Sequence, residues 1–545
     1  MSDWRPVILG SLLEIKHGYA FPGKEITTKE TNDVLVTPGN FEIGGGFKAS
    51  KLKYFEGEVP EEYVLAEGDL IVTMTDLSRD GDTLGYSALV PKFDGKRLLH
   101  NQRIGLVLVK SDEVSSAFLH WLMRSREYRF YVLGSATGST VRHTSPERIK
   151  QIELEIPSDP KEQEAIAEIL SSLDEKIELN RKQNRTLEAI AQALFKRWFV
   201  EFEFPACLSA QWLKGAGKPN DSLMQYGYKS FGGLPAPQSG LFFVYVLECE
   251  NGAMSIGQTR NLLKRWHEHV SGEGARYTKG NKPVRFLHWE QYESRELAVE
   301  REQWLKTGFG RKWLQREHAA GQTRQAGGAM QPSELGEIPV GWRVGKLEEL
   351  IDELETGSRP KGGVGQFFEG VPSIGAESIT RIGEYDYSKT KFVPKEYFEK
   401  MRRGIIKDRD VLIYKDGGQP GRFDARISMF GGGFPYETAC LNEHVFRLQA
   451  KKPTYQNYLY LWLSSYPVIE ELRFRGAKAA IPGINSGDIK ELDFLFMDEE
   501  VLEKFDEVIE PLFSKLLQNS REMAVLGKLR DTLLPKLMSG ELRVA

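Results

Sequence analysis

The chain has 545 residues, of which 40% are apolar and 28% are charged. This composition excludes a mainly disordered protein, and the length excludes a single compact domain, since domains usually run to roughly 100–200 residues. The net charge of −4 excludes a uniformly basic DNA-coating protein, although local basic faces remain possible.

The cysteines and the hydropathy pattern bear on where the chain resides. Cys207, Cys249 and Cys440 lie far apart and match no metal-ligand spacing, so neither a disulfide framework nor a structural zinc site is expected. No run of about 18 apolar residues occurs, and the first residues lack an apolar signal core. We therefore expect no membrane span and a location in the reducing cytoplasm.

The sequence repeats itself at an offset of 338–341 residues. Trp4-Arg5 and Trp342-Arg343 open the two similar segments. Three further pairs follow in the same order: Gly68–Val72 with Arg409–Ile413, Asn101–Ile104 with Asn442–Val445, and Ile149–Ile152 with Ile489–Leu492. The alternative is coincidence between unrelated α/β segments, but four ordered matches favour a duplicated domain.

Each half ends in a segment with apolar residues at alternating spacings of four and three, which is a heptad pattern. In the first half the seam comprises Ile166, Leu170, Leu173, Ile177, Asn180, Asn184, Leu187, Ala191, Leu194 and Trp198. The seam recurs 339 residues later, where Asn180 falls on Asn519. Ordinary amphipathic core helices are the alternative, but the matched polar position favours a pair of helices packed on each other. A helix from about Pro160 to Trp198 would be about 58 Å long.

The predicted fold class is α+β and multidomain. We expect two pseudo-twofold-related α/β domains separated by two long antiparallel helices, with a small α/β domain inserted between the halves. A rigid spacer between two similar domains suits a DNA site whose half-sites lie about one helical turn, ~34–36 Å, apart.

This layout resembles the specificity (S) subunit of type I restriction–modification systems over most of the chain. The residues that carry the resemblance are Trp4-Arg5, Leu9-Gly10, Glu155–Ser158, Glu162-Gln163, Ile166–Leu170, Leu187, Ala193–Phe199, Ser333–Pro339, Gly341-Trp342 and Leu533–Leu542. The resemblance implies a non-catalytic reader of double-stranded DNA with two target-recognition domains. It also implies that the helices dock two methyltransferase (M) subunits, which use S-adenosylmethionine, and that ATP-driven restriction (R) subunits join the complex.

Motifs for the catalytic steps of such a system are missing from the sequence. There is no Asn-Pro-Pro-Tyr or Asn-Pro-Pro-Phe methyltransferase motif and no phosphate loop ending in Gly-Lys-Ser or Gly-Lys-Thr. We therefore expect no cofactor for the specificity role.

Polar loops with side chains suited to base edges and phosphates lie at Asp76–Thr83, Ser135–His143, Lys415–Arg422 and Arg475–Asn485. The candidate DNA-binding residues in them are Arg79, Thr140, Arg142, His143, Lys415, Gln419, Arg422, Arg475 and Lys478. A solvated surface position is the alternative for each of them.

Between the halves lies a segment with its own pattern, flanked by two linker-like stretches, Ser209–Gly240 and Ala319–Gln331. Its predicted elements are a strand at Phe242–Leu247, a turn at Asn251-Gly252, a return strand from Met254, a helix containing Leu262 to Val270, a third strand at Val284–Trp289, and a helix capped by Ser294 that runs to Lys306. The domain boundaries that we predict are 1–158, 159–205, 206–240, 241–316, 317–340, 341–497 and 498–545.

The inserted segment resembles a small GIY-YIG nuclease domain. The matching residues are Phe243-Val244-Tyr245, Ser255-Ile256-Gly257, Thr259, Leu262, Arg265, His269, Glu302 within Arg301–Lys306, and Gly308–Leu314. The resemblance implies phosphodiester hydrolysis. Tyr245 would orient or deprotonate water, Arg265 would bind the phosphate, His269 would assist proton transfer, and Glu302 would hold one Mg²⁺.

The inserted segment departs from the family at one position, where Ser255 replaces the second tyrosine of the motif. An aliphatic alcohol is a much weaker acid than a phenol, so Ser255 does not simply inherit the role. The alternative is a retained fold that binds DNA or a partner without cutting.

Two functions stay open for the whole chain. It is either a specificity subunit with an accessory nuclease-like domain, or a self-contained site-specific endonuclease that its two halves direct to DNA. A scaffold that has lost sequence preference is a third, weaker option. These functions differ in whether M subunits are needed for tight binding and in whether the chain cuts alone.

Overall fold

The structure is a computed structural model that describes residues 4–49, 52–78, 80–93, 95–202, 241–292, 294–307, 330–385, 390–419, 421–432, 434, 436–477 and 482–544. The chain divides into two units, residues 1–179 with 523–545 and residues 180–522. The first unit contains the first lobe (residues 4–157). The second unit contains the inserted domain (residues 241–307) and the second lobe (residues 342–496).

The first lobe is an α/β structure whose main sheet is antiparallel, with the strand order β2-β11-β7-β9. Its strands are β1 Trp4–Ile8, β2 Leu13–His17, β3 Ile26–Thr27, β4 Asp33–Val36, β5 Lys53–Phe55, β6 Val64–Leu65, β7 Leu70–Thr73, β8 Thr75–Asp76, β9 Ser87–Leu89, β10 Arg97–His100, β11 Ile104–Val109, β12 Arg142–His143 and β13 Glu153–Pro157. Its helices are α1 Leu9–Leu12, α2 Ser116–Leu122, α3 Arg126–Gly134 and α4 Pro146–Lys150, and the chain then enters α5 Pro160–Phe199. Every residue of β7 is buried, and its sequence Leu-Ile-Val-Thr accordingly shows no alternation of buried apolar and exposed polar residues.

The inserted domain is a three-stranded antiparallel sheet with the order β15-β14-β16 and a helix on each face. Its elements are β14 Phe242–Cys249, β15 Met254–Thr259, α6 Leu262–Val270, α7 Arg276–Gly280, β16 Pro283–Tyr292 and α8 Arg295–Lys306. Alternate residues of β14 face α6 and α8, as the period of a strand requires. The predicted cap is confirmed, because the Ser294 hydroxyl accepts a hydrogen bond from the amide of Leu297.

The second lobe repeats the first. Its main sheet has the order β20-β30-β25-β28, and its first and last strands, β19 and β31, pair antiparallel as β1 and β13 do. The hairpin β17 Met330–Ser333 and β18 Gly336–Pro339 precedes this lobe. The strands of the lobe are β19 Arg343–Lys346, β20 Ile351–Thr356, β21 Val371–Ile374, β22 Ile379–Arg381, β23 Glu384–Tyr385, β24 Lys391–Val393, β25 Val411–Tyr414, β26 Gly418–Gln419, β27 Arg422–Phe423, β28 Ile427–Met429, β29 Cys440–Leu441, β30 Val445–Ala450 and β31 Asp493–Phe496. The helices are α9 Lys395–Phe398, α10 Gln456–Leu463, α11 Tyr466–Gly476 and α12 Ser486–Lys490, followed by α13 Glu499–Met538.

The equal strand orders confirm the duplication predicted from the sequence. Strands β7 and β25, and likewise β11 and β30, begin 341 residues apart, which is the offset of the sequence matches. The α+β class is confirmed as well.

The two long helices each have 40 residues. The helix predicted from about Pro160 to Trp198 runs one residue further, to Phe199. In the first unit, Ile166 and Leu170 share a buried cluster with Leu537. In the second unit, Ala191 and Phe195 share one with Phe505 and Ile509. Within the second unit, the C-terminal part of α5 therefore packs against the N-terminal part of α13, so the helices run antiparallel there.

Candidate functional site

In the first lobe, the structure brings the two polar loops predicted from the sequence together. Strand β8 pairs with β12, so that Arg142 lies opposite Asp76 and His143 opposite Thr75. The Thr75 hydroxyl is also 3.2 Å from His143 Nδ1. Thr140 lies on the exposed hairpin before β12, and Arg142 is half-buried beside it. Thr140, Arg142 and His143 therefore belong to one surface of the lobe.

Asp76 holds the shape of the first of these loops. Its carboxylate accepts hydrogen bonds from the amide of Ser78 at 2.6 Å and from the hydroxyl of Thr83 at 2.7 Å. Burial alone would raise the pKa of Asp76, but these hydrogen bonds lower it. The carboxylate thus stays ionised and ties both ends of the loop to the end of β8.

The second lobe makes the same arrangement from the equivalent segments. Asp416 pairs with Gly483, and the amide of Ile484 donates to the carbonyl of Lys415 at 2.9 Å. Asp416 and Gly483 lie 341 and 340 residues after the paired residues Thr75 and His143. Each lobe therefore presents one pair of joined loops at the same place in its fold.

The β26–β27 hairpin of the second lobe carries two of the predicted residues. Gln419 and Arg422 are paired across the hairpin, and both are exposed. The hairpin is reached through Gly417, at φ +147°, where a Cβ atom would lie 1.6 Å from the hydroxyl of Tyr414. Glycine is required there because no side chain fits between the hairpin and β25.

Arg475 has a position unlike that of the exposed candidates. Its Nε donates to Glu471 at 2.7 Å and its Nη1 to the carbonyl of Asp488 at 3.2 Å. These contacts fasten the end of α11 to α12, which favours a structural role for this guanidinium. Arg79 and Lys478 lie outside the described residues.

In the second unit, the seam between α5 and α13 contains the predicted polar positions. Asn180 Nδ2 donates to Glu522 at 2.9 Å, and Asn519 Nδ2 donates to Gln183 at 3.2 Å and to Asn184 at 3.0 Å. The offset of 339 converts the pair Asn180–Glu522 into the pair Asn519–Gln183. These contacts are therefore isologous, as a twofold relation requires.

In the first unit, a buried ion pair fastens the helices to the lobe. Asp174 of α5 accepts from Arg124 at 2.7 Å and from Arg530 of α13 at 2.5 Å. Burial would raise the pKa of Asp174, but the two guanidinium groups lower it. The side chain of Arg124 is only 1% exposed, so its guanidinium is shielded from water.

The inserted domain contains a hydrogen-bond chain that joins three of the predicted catalytic residues, Tyr245, Arg265 and His269. Arg265 Nε donates to the Tyr245 hydroxyl oxygen at 2.9 Å, and the Tyr245 hydroxyl lies 2.8 Å from His269 Nε2. His269 Nδ1 is 2.6 Å from the hydroxyl of Thr278, which donates to the carbonyl of Ala275 at 2.9 Å. Because the Thr278 proton is used by that carbonyl, the chain assigns the His269 proton to Nδ1. The Tyr245 hydroxyl then donates to Nε2.

This environment fixes the protonation states of the site. Burial, followed by the charge of Arg265, lowers the pKa of His269 to about 4, so the imidazole is neutral at pH 7. Burial raises the pKa of Tyr245, which therefore keeps its proton. The hydroxyl of Tyr245 fits because residue 257 is glycine, where a Cβ atom would lie 2.4 Å from it.

Ser255 and Glu302 lie near this chain but outside it. Ser255 pairs with Leu247 across the strands, two residues from the Tyr245–Gly257 pair, so it projects from the same face of the sheet as Tyr245. Glu302 is close enough to contribute to the raised pKa of Tyr245, and its carboxylate is bound by Lys306 at 2.6 Å.

Glu302 fits a divalent cation as a single carboxylate ligand, because Mg²⁺ keeps several waters and needs only one or two protein carboxylates. Lys306 would have to release the carboxylate first. Within the described part of the chain, no group of three or more His, Cys, Asp or Glu side chains is arranged to hold a metal ion.

Comparisons with known proteins identify the two parts of the chain. Residues 1–189 match the family model of the type I restriction modification DNA specificity domain. The chain is also 21% identical over 440 residues to the type I restriction enzyme MjaIX specificity subunit of Methanocaldococcus jannaschii, covering 80% of this chain and 71% of that protein. Residues 1–189 thus carry a type I restriction modification DNA specificity domain, and the chain as a whole is similar to type I specificity subunits. A shorter stretch of 88 residues is 41% identical to the HindI specificity subunit of Haemophilus influenzae, covering 16% of this chain and 19% of that protein.

The inserted domain has relatives of its own. Residues 241–315 match the model of the GIY-YIG catalytic domain. A UPF0213 protein of Natronomonas pharaonis is 42% identical over 65 residues, which are 12% of this chain and 76% of that protein. The solved S subunit from M. genitalium aligns over 98% of this chain and 96% of its own, with a TM-score of 0.42 and 13% identity.

Sequence reasoning missed several residues that the structure brings to these sites. Thr278 orients His269, Glu268 binds Arg265 at 2.7 Å, and Arg124 binds Asp174. None of them stands in a motif, and the spacing along the chain carries no signal for a contact between distant loops. Among the helices of the described residues, none is both long and apolar enough to cross a membrane.

Proposed function

We propose that each lobe of this specificity subunit binds one half of a split DNA site through its joined loops. The observation that carries the proposal is the duplication of those loops at one place in each fold. Thr140, Arg142 and His143 would contact one half-site, and Lys415, Gln419 and Arg422 the other. Such side chains bind phosphates and read base edges in the major groove.

We propose further that the two long helices dock two M subunits, with R subunits completing the complex. Ile190 of α5 and Leu529 of α13 occupy equivalent positions, 339 residues apart, and their side chains are 43% and 44% exposed. An exposed apolar residue repeated by a twofold relation gives two copies of one partner equivalent places to bind.

Mapping of methylated adenines in cells tests this function. We expect a split methylation motif that disappears when this gene is deleted and returns when it is restored. A methylation pattern that is unchanged by the deletion would contradict the proposal. Tight, selective DNA binding and cutting by the purified chain without M subunits would instead support the self-contained endonuclease.

Replacing Arg142 by alanine is expected to weaken binding of the cognate site by about 1–3 kcal/mol if its guanidinium contacts a base. The measurement is a titration of labelled DNA with the M–S complex at fixed salt. Lys24→Ala is the matched control, because that side chain is 82% exposed and lies far along the chain from the joined loops. Unchanged affinity and unchanged site choice in Arg142→Ala would remove this residue from the DNA interface.

For the inserted domain we propose phosphodiester hydrolysis at the Tyr245 site. The water oxygen attacks phosphorus while the bond to the leaving oxygen breaks, and the leaving oxygen takes a proton from solvent. As the water gives a proton to the Tyr245 oxygen, Tyr245 passes its own proton to the neutral His269 Nε2. Arg265 stabilises the phosphate charge that develops. A divalent cation on Glu302 would supply further neutralisation of that charge.

A further inference from the structure

The inserted domain contacts the second lobe through α6, the helix that carries Arg265 and His269. Asn261, which caps α6, donates through Nδ2 to Glu470 at 3.2 Å and accepts from the hydroxyl of Tyr466 at 3.4 Å. Both partners belong to α11 of the second lobe. The inserted domain thus has a specific docking site on the second lobe, within the same unit.

His267 makes the second half of this contact. Its ring stacks on Phe474 with centroids 5.0 Å apart and planes 17° from parallel, and its Nε2 lies 3.0 Å from a carboxylate oxygen of Glu471. The side chain of His267 is 11% exposed and that of Glu471 24%. Although burial would raise the pKa of Glu471, His267 and Arg475 lower it to about 2. The contact therefore combines an ionised carboxylate with a desolvated ring stack.

Glu471 joins the inserted domain to the loop that follows α11. One of its oxygens faces His267, while the other accepts from Arg475 at 2.7 Å. The next residue, Gly476, packs against Phe423 of β27 so closely that a Cβ atom would lie 2.5 Å from the ring. The residues of α11 that contact the inserted domain therefore lie next to the residues that pack against the exposed β26–β27 hairpin.

The equivalent helix of the first lobe lacks this docking site. The positions of Glu470 and Glu471 correspond, 340 residues earlier, to Phe130 and Tyr131 of α3. Their side chains are 74% and 44% exposed, and neither offers a carboxylate to Asn261 or His267. The polar docking site for the inserted domain is therefore present in the second lobe and is not repeated in the first.

We propose that α11 is the dedicated docking face of the inserted domain, which places the Tyr245 site beside the half-site bound by the second lobe and not beside the other half-site. The placement on DNA rests on the proposed function, whereas the docking itself does not. The domain then acts on one flank of a bipartite site.

Hydrogen exchange of the full chain without DNA tests the docking. In His267→Glu, where two carboxylates oppose each other, we expect peptides from α6 and α11 to exchange about tenfold faster. Glu470→Lys should give the same pattern from the other side of the contact. Peptides from β14 and β30 should keep their protection, which shows that both domains remain folded.

Glu300→Lys, on the exposed side of α8, is the matched charge reversal and should leave α6 and α11 unchanged. Equal exchange of α6 and α11 in wild type and His267→Glu would overturn the docking face.

A footprint of the M–S complex tests the placement on DNA. The double variant Gln419→Ala with Arg422→Ala should lose the protection of one half-site, which identifies the half-site bound by the second lobe. In the wild type, we expect protection to extend beyond that half-site. The extension should vanish in His267→Glu while both half-sites stay protected. An extension beyond the other half-site, or beyond both, would overturn the placement. Absence of both half-site footprints would contradict the specificity role, and hydrogen exchange would still decide the docking.

Discussion

Replacing Arg447 by leucine is expected to lower the free energy of unfolding of the second lobe by about 3–5 kcal/mol. The Arg447 side chain is 2% exposed, and it donates to Asp410, itself fully buried, at 2.7 and 3.1 Å. It also contacts Glu353 at 2.6 Å and Glu355 at 3.0 Å. Removing the guanidinium takes this cation away from Asp410 and Glu355, whereas Glu353 keeps Lys407 at 2.9 Å. Burial already raises the pKa of Asp410 in this site.

Urea unfolding followed by hydrogen exchange of β25 and β30 amides measures this loss. Arg422→Leu is the control, because its side chain is exposed and surface changes usually stay within about 0.5 kcal/mol. Adding Asp410→Asn to Arg447→Leu should recover part of the stability, since one of the unpaired charges is then gone. A loss below about 1 kcal/mol in Arg447→Leu would mean that water or a rearranged lysine replaces the guanidinium.

The ion cluster around Arg447 could not be predicted from the sequence repeat. Arg447 lies 341 residues after Leu106, on the equivalent strand, so the same sheet position is a buried cation in one lobe and a half-buried apolar residue in the other. The fold was predictable because strands and helices follow from apolar periodicity, which the two halves share. The charges were not, because a buried ion pair depends on partners that periodicity does not reveal.

The roles of the basic residues in the polar loops were likewise not predictable from the sequence. Arg142 and Arg475 look alike in sequence, as basic residues at the edges of polar loops. The structure places Arg142 opposite Asp76 on the β8–β12 pair, whereas Arg475 binds Glu471 and the end of α12. Only the fold distinguishes an arginine on the strand pair that joins two loops from an arginine that fastens two helices.

The members of the hydrogen-bond chain in the inserted domain were predictable from their motif positions, but the direction of the chain was not. Tyr245, Arg265 and His269 stand in matching motif positions, and the structure joins them in one hydrogen-bond chain. The direction of that chain depends on Thr278, which no motif includes. Because His269 is neutral and accepts from Tyr245, the tyrosine can take a proton only when it passes one on.

Nicking of supercoiled plasmid by the full chain with Mg²⁺ is expected to fall by about 10²–10³-fold in Arg265→Ala, because the guanidinium both stabilises developing phosphate charge and orients the Tyr245 oxygen. Tyr245→Phe should fall as well, since the relay to His269 is lost. Arg295→Ala, an exposed arginine on α8, is the control and should nick at the wild-type rate. Equal nicking by all variants would reveal a contaminating nuclease. No nicking by the wild type over long incubation, together with retained DNA binding, would mean that Ser255 has ended catalysis and left a DNA-binding fold.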